Sequence, residues 1–277
     1  MKVTVLLATY NSSRFLREQL DSLFAQTFQD WTMVVRDDGS SDDTLKIIEE
    51  YSKVHANIDV LPDQEKNVGA KESFMRLLKS TASDYYFFCD HDDVWLPSKM
   101  EESLRLLLAT QRNHPGKPVI IHSDLRVVND ELQTVSESFW KSSKIYPKIL
   151  ENKNYIQVFN CVTGCTMLFN AEVKKIAIPY PQSIPMHDWW LALITLRNGG
   201  IIRHLNEPTI LYRQHGENEV GARLVNGTYF TGKIRNIKAT FRGQKEVLDF
   251  LKDIKALNWV QYYYFKIRYS IQRIFPK

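Results

Sequence analysis

Three carboxylates fall within four residues at Asp90-His91-Asp92-Asp93, directly after the aromatic and apolar run Tyr85-Tyr86-Phe87-Phe88-Cys89. Like charges held that close repel one another unless a cation or open solvent relieves them. An oxygen-rich set of this kind suits Mg2+ or Mn2+, ions that keep some of their waters and hold substrate phosphates as well. A calcium hand is excluded. Glu101 stands at the twelfth position from Asp90, but Val94 and Trp95 occupy places where that loop needs an oxygen ligand and a glycine. A second acidic stretch, Asp37-Asp38-Gly39-Ser40-Ser41-Asp42-Asp43-Thr44, follows another β-rich run. Its residue types fit a turn with a helix cap equally well as a ligand contact. A third acid, Asp188, precedes a helical pattern from Trp189 to Arg197 and by itself suits a helix N-cap.

The elements that must position these acids alternate strand and helix through the first half of the chain, which predicts a parallel sheet covered by helices. Val3–Ala8, Trp31–Arg36, Ile58–Leu61 and Tyr85–Cys89 read as strands one to four. Ser12 or Ser13 is placed to cap the first helix, whose apolar face carries Phe15, Leu16, Leu20, Leu23 and Phe24. The second helix runs from Ser41 to Tyr51, and Phe74, Leu77 and Leu78 mark a third. After Pro115 the pattern loosens into short strands at Val119–His122, Arg126–Val128 and Val162–Phe169, with a further helix starting at Asp188. Ligands of open α/β sheets bind beyond the carboxyl ends of the strands. Both acidic stretches lie at such ends.

The motifs, in this order and spacing over about residues 3 to 221, resemble the inverting family-two glycosyltransferases, particularly their bacterial rhamnosyltransferase-like branch. The resemblance implies a GT-A fold: an α/β architecture with a mostly parallel, Rossmann-like sheet, helices on both faces and here a C-terminal helical tail. Ala8-Thr9-Tyr10-Asn11 is similar to the nucleotide-contacting first loop, Asp38 to the acid that binds the donor base or ribose, and Asn67-Val68-Gly69 to a turn beside the donor. Asp90-His91-Asp92 corresponds to the Asp-x-Asp metal and diphosphate motif, with Asp93-Val94-Trp95 and Lys99 continuing as in relatives. Asn160 to Asn170 resembles the acceptor-side strand and loop. In His187-Asp188-Trp189-Trp190 the family's catalytic base falls on Asp188, and His187 replaces a glutamate common in other branches. Tyr212-Arg213-Gln214-His215-Gly216-Glu217-Asn218 looks like the late loop that closes over the diphosphate, with His215 as a third metal ligand and Arg213 facing phosphate charge.

The activity implied by the resemblance is transfer of a hexose such as rhamnose to an acceptor hydroxyl in O-antigen or capsule biosynthesis. The donor would be a UDP- or dTDP-sugar and the acceptor a saccharide or lipid-linked saccharide. Residues 1–232 are expected to form the catalytic domain, with 1–115 binding the donor, 116–232 the acceptor, and 233–277 forming a basic tail. Two other readings stay open: a sugar nucleotidyltransferase, and an inactive nucleotide- or carbohydrate-binding module. Against the first, the loop at Ala8–Asn11 has no glycines to admit a triphosphate.

Composition agrees with a folded chain: 44% hydrophobic and 25% charged residues, with a net charge of +4. The charge is uneven, because Lys233–Lys277 holds 11 Lys and Arg against 3 Asp and Glu, so the remainder is slightly acidic. Within the tail Ile234, Ile237, Phe241, Leu248, Leu251 and Ile254 recur at helical spacing, and Trp259 to Phe275 is rich in Tyr, Phe, Lys and Arg. Two outcomes fit: a helix packed on the body, or an anchor on an anionic bilayer surface. Nucleic acid is not expected, since no binding motif accompanies the charge. Three unpaired cysteines, Cys89, Cys161 and Cys165, suggest neither a disulfide framework nor a zinc site, and Cys165 is assigned no chemistry. With no apolar run of membrane-spanning length, the expected location is the cytoplasm, peripheral on the inner face of the membrane.

Overall fold

The computed structural model describes residues 1–63, 65–215 and 237–274. Its nine strands form one sheet in the order β3-β2-β1-β4-β8-β6-β9-β5, with β7 beside β6. The first strands are β1 (Val3–Thr9), β2 (Thr32–Asp37), β3 (Ile58–Val60) and β4 (Tyr85–Cys89), and all their mutual pairings are parallel. Between them run α1 (Leu16–Phe24), α2 (Thr44–Val54) and α3 (Ala70–Ser80). Every residue of β1 is buried, as befits a central strand covered on both faces.

The second half mixes directions. Strand β5 (Val94–Trp95) is followed by α4 (Lys99–Asn113), β6 (Val119–Val128), β7 (Thr134–Ser136), α5 (Phe139–Ser143) and α6 (Pro147–Leu150). After a 3-10 turn at Gly164–Thr166 come β8 (Leu168–Asn170), α7 (Ala171–Ala177), α8 (His187–Arg197) and β9 (Ile201–Arg213). β8 is antiparallel to both β4 and β6, while β9 is parallel to β6 and antiparallel to β5.

Period-two alternation along the strands sorts the core into two layers. Val3, Val5, Leu7, Met33, Val35 and Phe87 pack on the face covered by α1, α2 and α4. Leu6, Ala8, Tyr86, Phe88 and Ile120 face the layer of α3, α7 and α8. That second layer continues into the tail. Helices α9 (Ile237–Asp253) and α10 (Trp259–Ile274) bury Phe250, Leu251, Tyr262 and Tyr269 in the same cluster. The Phe250 ring meets Trp190 edge-on at 6.3 Å, and Tyr269 packs on Phe159 at 4.8 Å. Arg197 donates to the carbonyl of Ile254 at 2.9 Å and Arg273 to that of Lys144 at 2.9 Å. Of the two outcomes open for the tail, packing on the body is what the described helices do.

Several local expectations are corrected. Neither Ser12 nor Ser13 caps α1 through its side chain: Ser12 Oγ lies 3.3 Å from Thr44 Oγ1, and only its backbone carbonyl receives the N–H groups of Phe15 and Leu16. The two short strands expected at 119–122 and 126–128 are one ten-residue strand, irregular around Asp124. The strand expected at Val162–Phe169 begins only at Leu168, after a 3-10 turn at Gly164–Thr166 in which the Gly164 N–H is drawn to Asp188 instead of to a neighbouring strand. Helix α8 starts at His187 with Met186 as its cap, so Asp188 lies inside the first turn and is not the N-cap. The expected domain limit at 232, and Lys233, Ile234 and Phe275 of the tail, lie outside the described residues, as do Gly216, Glu217 and Asn218.

If the tail belongs to the core, Phe250→Ala lowers the unfolding free energy by about 3–5 kcal/mol, the usual range for emptying a buried aromatic site. Urea denaturation measures this; an unchanged midpoint would place the tail apart from the body.

Candidate active site

The carboxyl ends of β1, β2 and β4 open onto a cleft of about 960 Å³ that α3, the 3-10 turn and the start of α8 close from the other side. Thr9, Tyr10, Asn11, Asp38, Asn67, Gly69, Asp90, Asp92, Asp188 and His215 all line it. Residues far apart in the chain therefore line one cleft, Ala8 and His215 being the extremes.

The side of the cleft formed by the ends of β1 and β2 is built by backbone N–H groups closing on aspartates. Asp37 takes the N–H of Gly39 at 3.0 Å and of Ser40 at 2.8 Å, together with the Thr9 hydroxyl at 2.9 Å. Asn11, held at φ 44°, accepts from the Ser41 N–H at 2.9 Å. Asp38 is the link to the next loop: its carboxylate accepts from the N–H of Val68 at 3.0 Å and of Gly69 at 2.8 Å. Both ends of that turn need a left-handed backbone, Asn67 at φ 56° and Gly69 at φ 83°, conformations that asparagine and glycine adopt most readily.

A residue that the sequence pattern does not single out anchors Asp38. Arg36 is fully buried, and its guanidinium donates to Asp38 at 2.9 Å, to Asp63 at 2.8 Å and to Ser73 Oγ at 2.7 Å. The Arg36 bond, foremost, holds the Asp63 carboxyl down at about 2. The available signal was an arginine inside the β-rich run Thr32–Asp37. A buried charge of that kind needs partners.

At the end of β4, Asp92 Oδ2 lies 2.9 Å from His215 Nε2. Burial pushes the Asp92 carboxyl up, and the His215 bond with the charges of His91 and His215 more than offsets this, leaving it below its ordinary value. Asp93 is fully buried, and burial followed by the charges of Asp92 and Asp90 drives its carboxyl far above the usual range. Acceptor atoms of Asp90, Asp93 and Cys165 lie within 4.8 Å of one another. Carboxylates with one imidazole make a mixed oxygen and nitrogen set that fits Mn2+ or Mg2+.

Arg213 does not line the cleft, contrary to its expected place against phosphate. Its guanidinium, 1% exposed, donates to the Asp92 carbonyl at 2.9 Å, to the Asp130 carbonyl and to the Glu18 carboxylate, and lies 4.5 Å over the Phe15 ring. Its backbone N–H reaches Asp93 at 3.2 Å. The arginine thus clamps the end of β9 to the acidic loop and so brings His215 to Asp92.

Asp188 stands in the opposite wall, where its carboxylate accepts the Gly164 N–H at 3.0 Å and the N–H of Trp189. Burial pushes its carboxyl up to about 7, against the lowering effect of those two bonds. Trp189 also lines the cleft. Trp95 lies under Lys99, and Trp190 donates to the Ala177 carbonyl at 2.9 Å. A second group, His122, Glu151 and His204, closes on itself: one carboxylate oxygen meets the two imidazoles at 3.0 and 2.6 Å.

Comparison with known proteins agrees with this geometry. The profile described as glycosyl transferase family 2 matches residues 4–176. The chain is 30% identical over 231 residues to the dTDP-rhamnosyl transferase RfbG of Shigella flexneri, covering 79% of this chain and 74% of that one. It is similar in fold to S. aureus TarS 1–349, solved in complex with UDP-GlcNAc, with a TM-score of 0.58 at 22% identity. It is also similar to the mannosyltransferase PcManGT of Pyrobaculum calidifontis, solved in complex with GDP-Man and Mn2+, with a TM-score of 0.59 at 18% identity. These alignments cover 79% and 92% of this chain, which spans 60% and 65% of the two solved chains. A sheet of this order with its acids at the strand ends, a family profile over more than half the sequence and a relative at 30% identity converge: the chain belongs to glycosyl transferase family 2 and is a glycosyltransferase of the GT-A fold.

Proposed function

We propose that this glycosyltransferase is metal-dependent and inverting, with Asp188 as the base that deprotonates the acceptor hydroxyl. The observation that carries the reading is a carboxylate with its pKa near 7 facing, across one cleft, the Asp92–His215 pair. An inverting displacement needs the attacking oxygen opposite the leaving diphosphate, and a base on the attacking side. The Gly164 and Trp189 N–H groups fix Asp188 while leaving it at the cleft wall. Asp92, Asp90 and His215 would hold Mn2+ or Mg2+, which when bound neutralises charge on the donor's phosphates. Thr9, Tyr10, Asn11, Asp38 and the turn Asn67–Gly69 shape the nucleotide side, so residues 1–115 serve the donor and those after Pro115 the acceptor.

The Shigella flexneri relative's name supports a dTDP-sugar, rhamnose or another hexose, as donor, with a UDP-sugar as the other candidate. A saccharide or lipid-linked saccharide acceptor in cell-surface polysaccharide assembly completes the reading. Among the described residues no helix is long and apolar enough to cross a membrane. Helix α10 offers another contact. Its buried face carries Tyr262 and Tyr269, while Val260, Tyr264, Ile267, Ile271 and Ile274 recur at helical spacing on the exposed face. Arg268 is exposed on the same helix, Arg273 reaches the carbonyl of the exposed Lys144, and Lys252 and Lys255 are exposed just before the helix in the chain. An apolar face accompanied by cations suits the interface of an anionic bilayer, and would keep the enzyme on the membrane's cytoplasmic side.

Asp188→Asn should lower turnover by about 10²–10⁴-fold while nucleotide-sugar binding persists. Because the base works ionised and its pKa is raised to about 7, native turnover should fall about tenfold per pH unit below 7 and level off above it. A pH-rate profile that is flat from 5 to 8 would remove Asp188 from this role. Asp92→Ala should abolish the extra thermal stability that Mn2+ lends to a nucleoside diphosphate complex, read by melting with and without the ion. For the bilayer contact, the full chain should float with phosphatidylserine vesicles and the Ile267→Asp, Ile271→Asp double variant should not; equal flotation refutes the contact.

A further inference from the structure

His187 is fully enclosed between aromatic rings, yet it borders the cleft. Its imidazole packs on Phe74 with ring centroids 4.3 Å apart and meets Phe88 edge-on at 4.9 Å. Among the described residues neither Nδ1 nor Nε2 has a hydrogen-bond partner. Buried polar atoms are nearly always paired, so an imidazole with both nitrogens idle calls for a partner that arrives with the substrate. The space for it is small. A Cβ on Gly164 would stand 2.7 Å from His187 Nε2, so only glycine fits there, and the same glycine's N–H holds Asp188.

The position identifies the partner. Phe88 lies two residues before Asp90 on β4, and Asp188 follows His187 directly on α8. Because Asp90, Asp92, His187 and Asp188 all line the one cleft, a sugar reaching from a diphosphate at Asp90–Asp92 to the base at Asp188 would lie in the space that His187 borders. Burial lowers the His187 pKa to about 3, so the ring is neutral in the working range and offers one donor and one acceptor. A sugar hydroxyl, itself both donor and acceptor, matches either tautomer. A phosphate oxyanion would be better served by a cation.

We propose that His187 hydrogen-bonds a hydroxyl of the sugar carried by the donor and thereby selects which sugar is transferred. The proposal rests on the transferase reading above. A site built to pair a hydroxyl rejects a sugar that lacks it or holds it in the other configuration, because the buried nitrogen then stays unpaired.

The test compares the native chain with His187→Phe and His187→Gln, using dTDP and UDP alone and dTDP-rhamnose, UDP-GlcNAc and UDP-glucose, all with Mn2+. Dissociation constants come from calorimetry and KM and kcat from nucleoside diphosphate release. The Phe variant should bind the free nucleotides as the native chain does, yet lose about 10- to 100-fold in affinity for the preferred nucleotide sugar, with partial recovery in the Gln variant. The preference between sugars should narrow alongside. Native-like affinity and selectivity in the Phe variant would overturn the contact, and so would equal weakening of free nucleotide and nucleotide sugar in both variants, which marks a packing role. If the native chain itself binds none of these ligands, the reading of a dTDP- or UDP-sugar donor falls and the contact with it, an outcome distinguishable because it precedes any substitution.

Discussion

Five aspartates, Asp37, Asp38, Asp90, Asp92 and Asp93, crowd one edge of a buried sheet, and their mutual repulsion in a poorly screened environment is the constraint around which the neighbouring structure is arranged. Four of them are relieved differently. Asp37 is satisfied by N–H groups of its own turn and by hydroxyls, Asp38 by Arg36 and the N–H pair of the next loop, and Asp92 by His215. Asp93 takes the remaining route: fully buried and beside two like charges, it is driven toward its neutral form. Asp38, Asp90 and Asp92 are the members of the set that line the cleft.

Much of this was legible in the sequence because parallel α/β architecture writes itself in alternating patterns and because acids placed after an apolar strand have few structural uses. All four parallel strands are where the pattern puts them, and ten of the proposed site residues line one cleft. What stayed hidden depended on tertiary partners. Strand β9 escaped notice because Glu207 and Pro208 interrupt its pattern, while β6 accommodates the irregularity across the pairing. The turn at Gly164–Thr166 looks like a strand until the Gly164 N–H is assigned to Asp188. Arg213 shows the same limit for function: residue type discloses a cation near the acidic loop, whereas its direction, away from the cleft and onto the Asp92 and Asp130 carbonyls, is a property of packing.

The tail illustrates a balance between two apolar faces on one helix. Tyr262 and Tyr269 secure α10 to the body, with the Tyr269 hydroxyl accepting the Tyr146 N–H at 3.2 Å, while the opposite stripe stays in solvent. Ile145, beside that bond, also lines the cleft, so the tail packs on a segment that forms part of the cleft wall.

Strand β8 carries a consequence for motion. Three residues long and antiparallel to both neighbours, it stitches β4 to β6 within one uninterrupted hydrogen-bonded sheet. A continuous floor of that kind gives the described sheet no hinge between its two flanks, so any adjustment on loading and discharge falls to the segments above it, where Asp38 and Arg213 tie one loop's movement to the next.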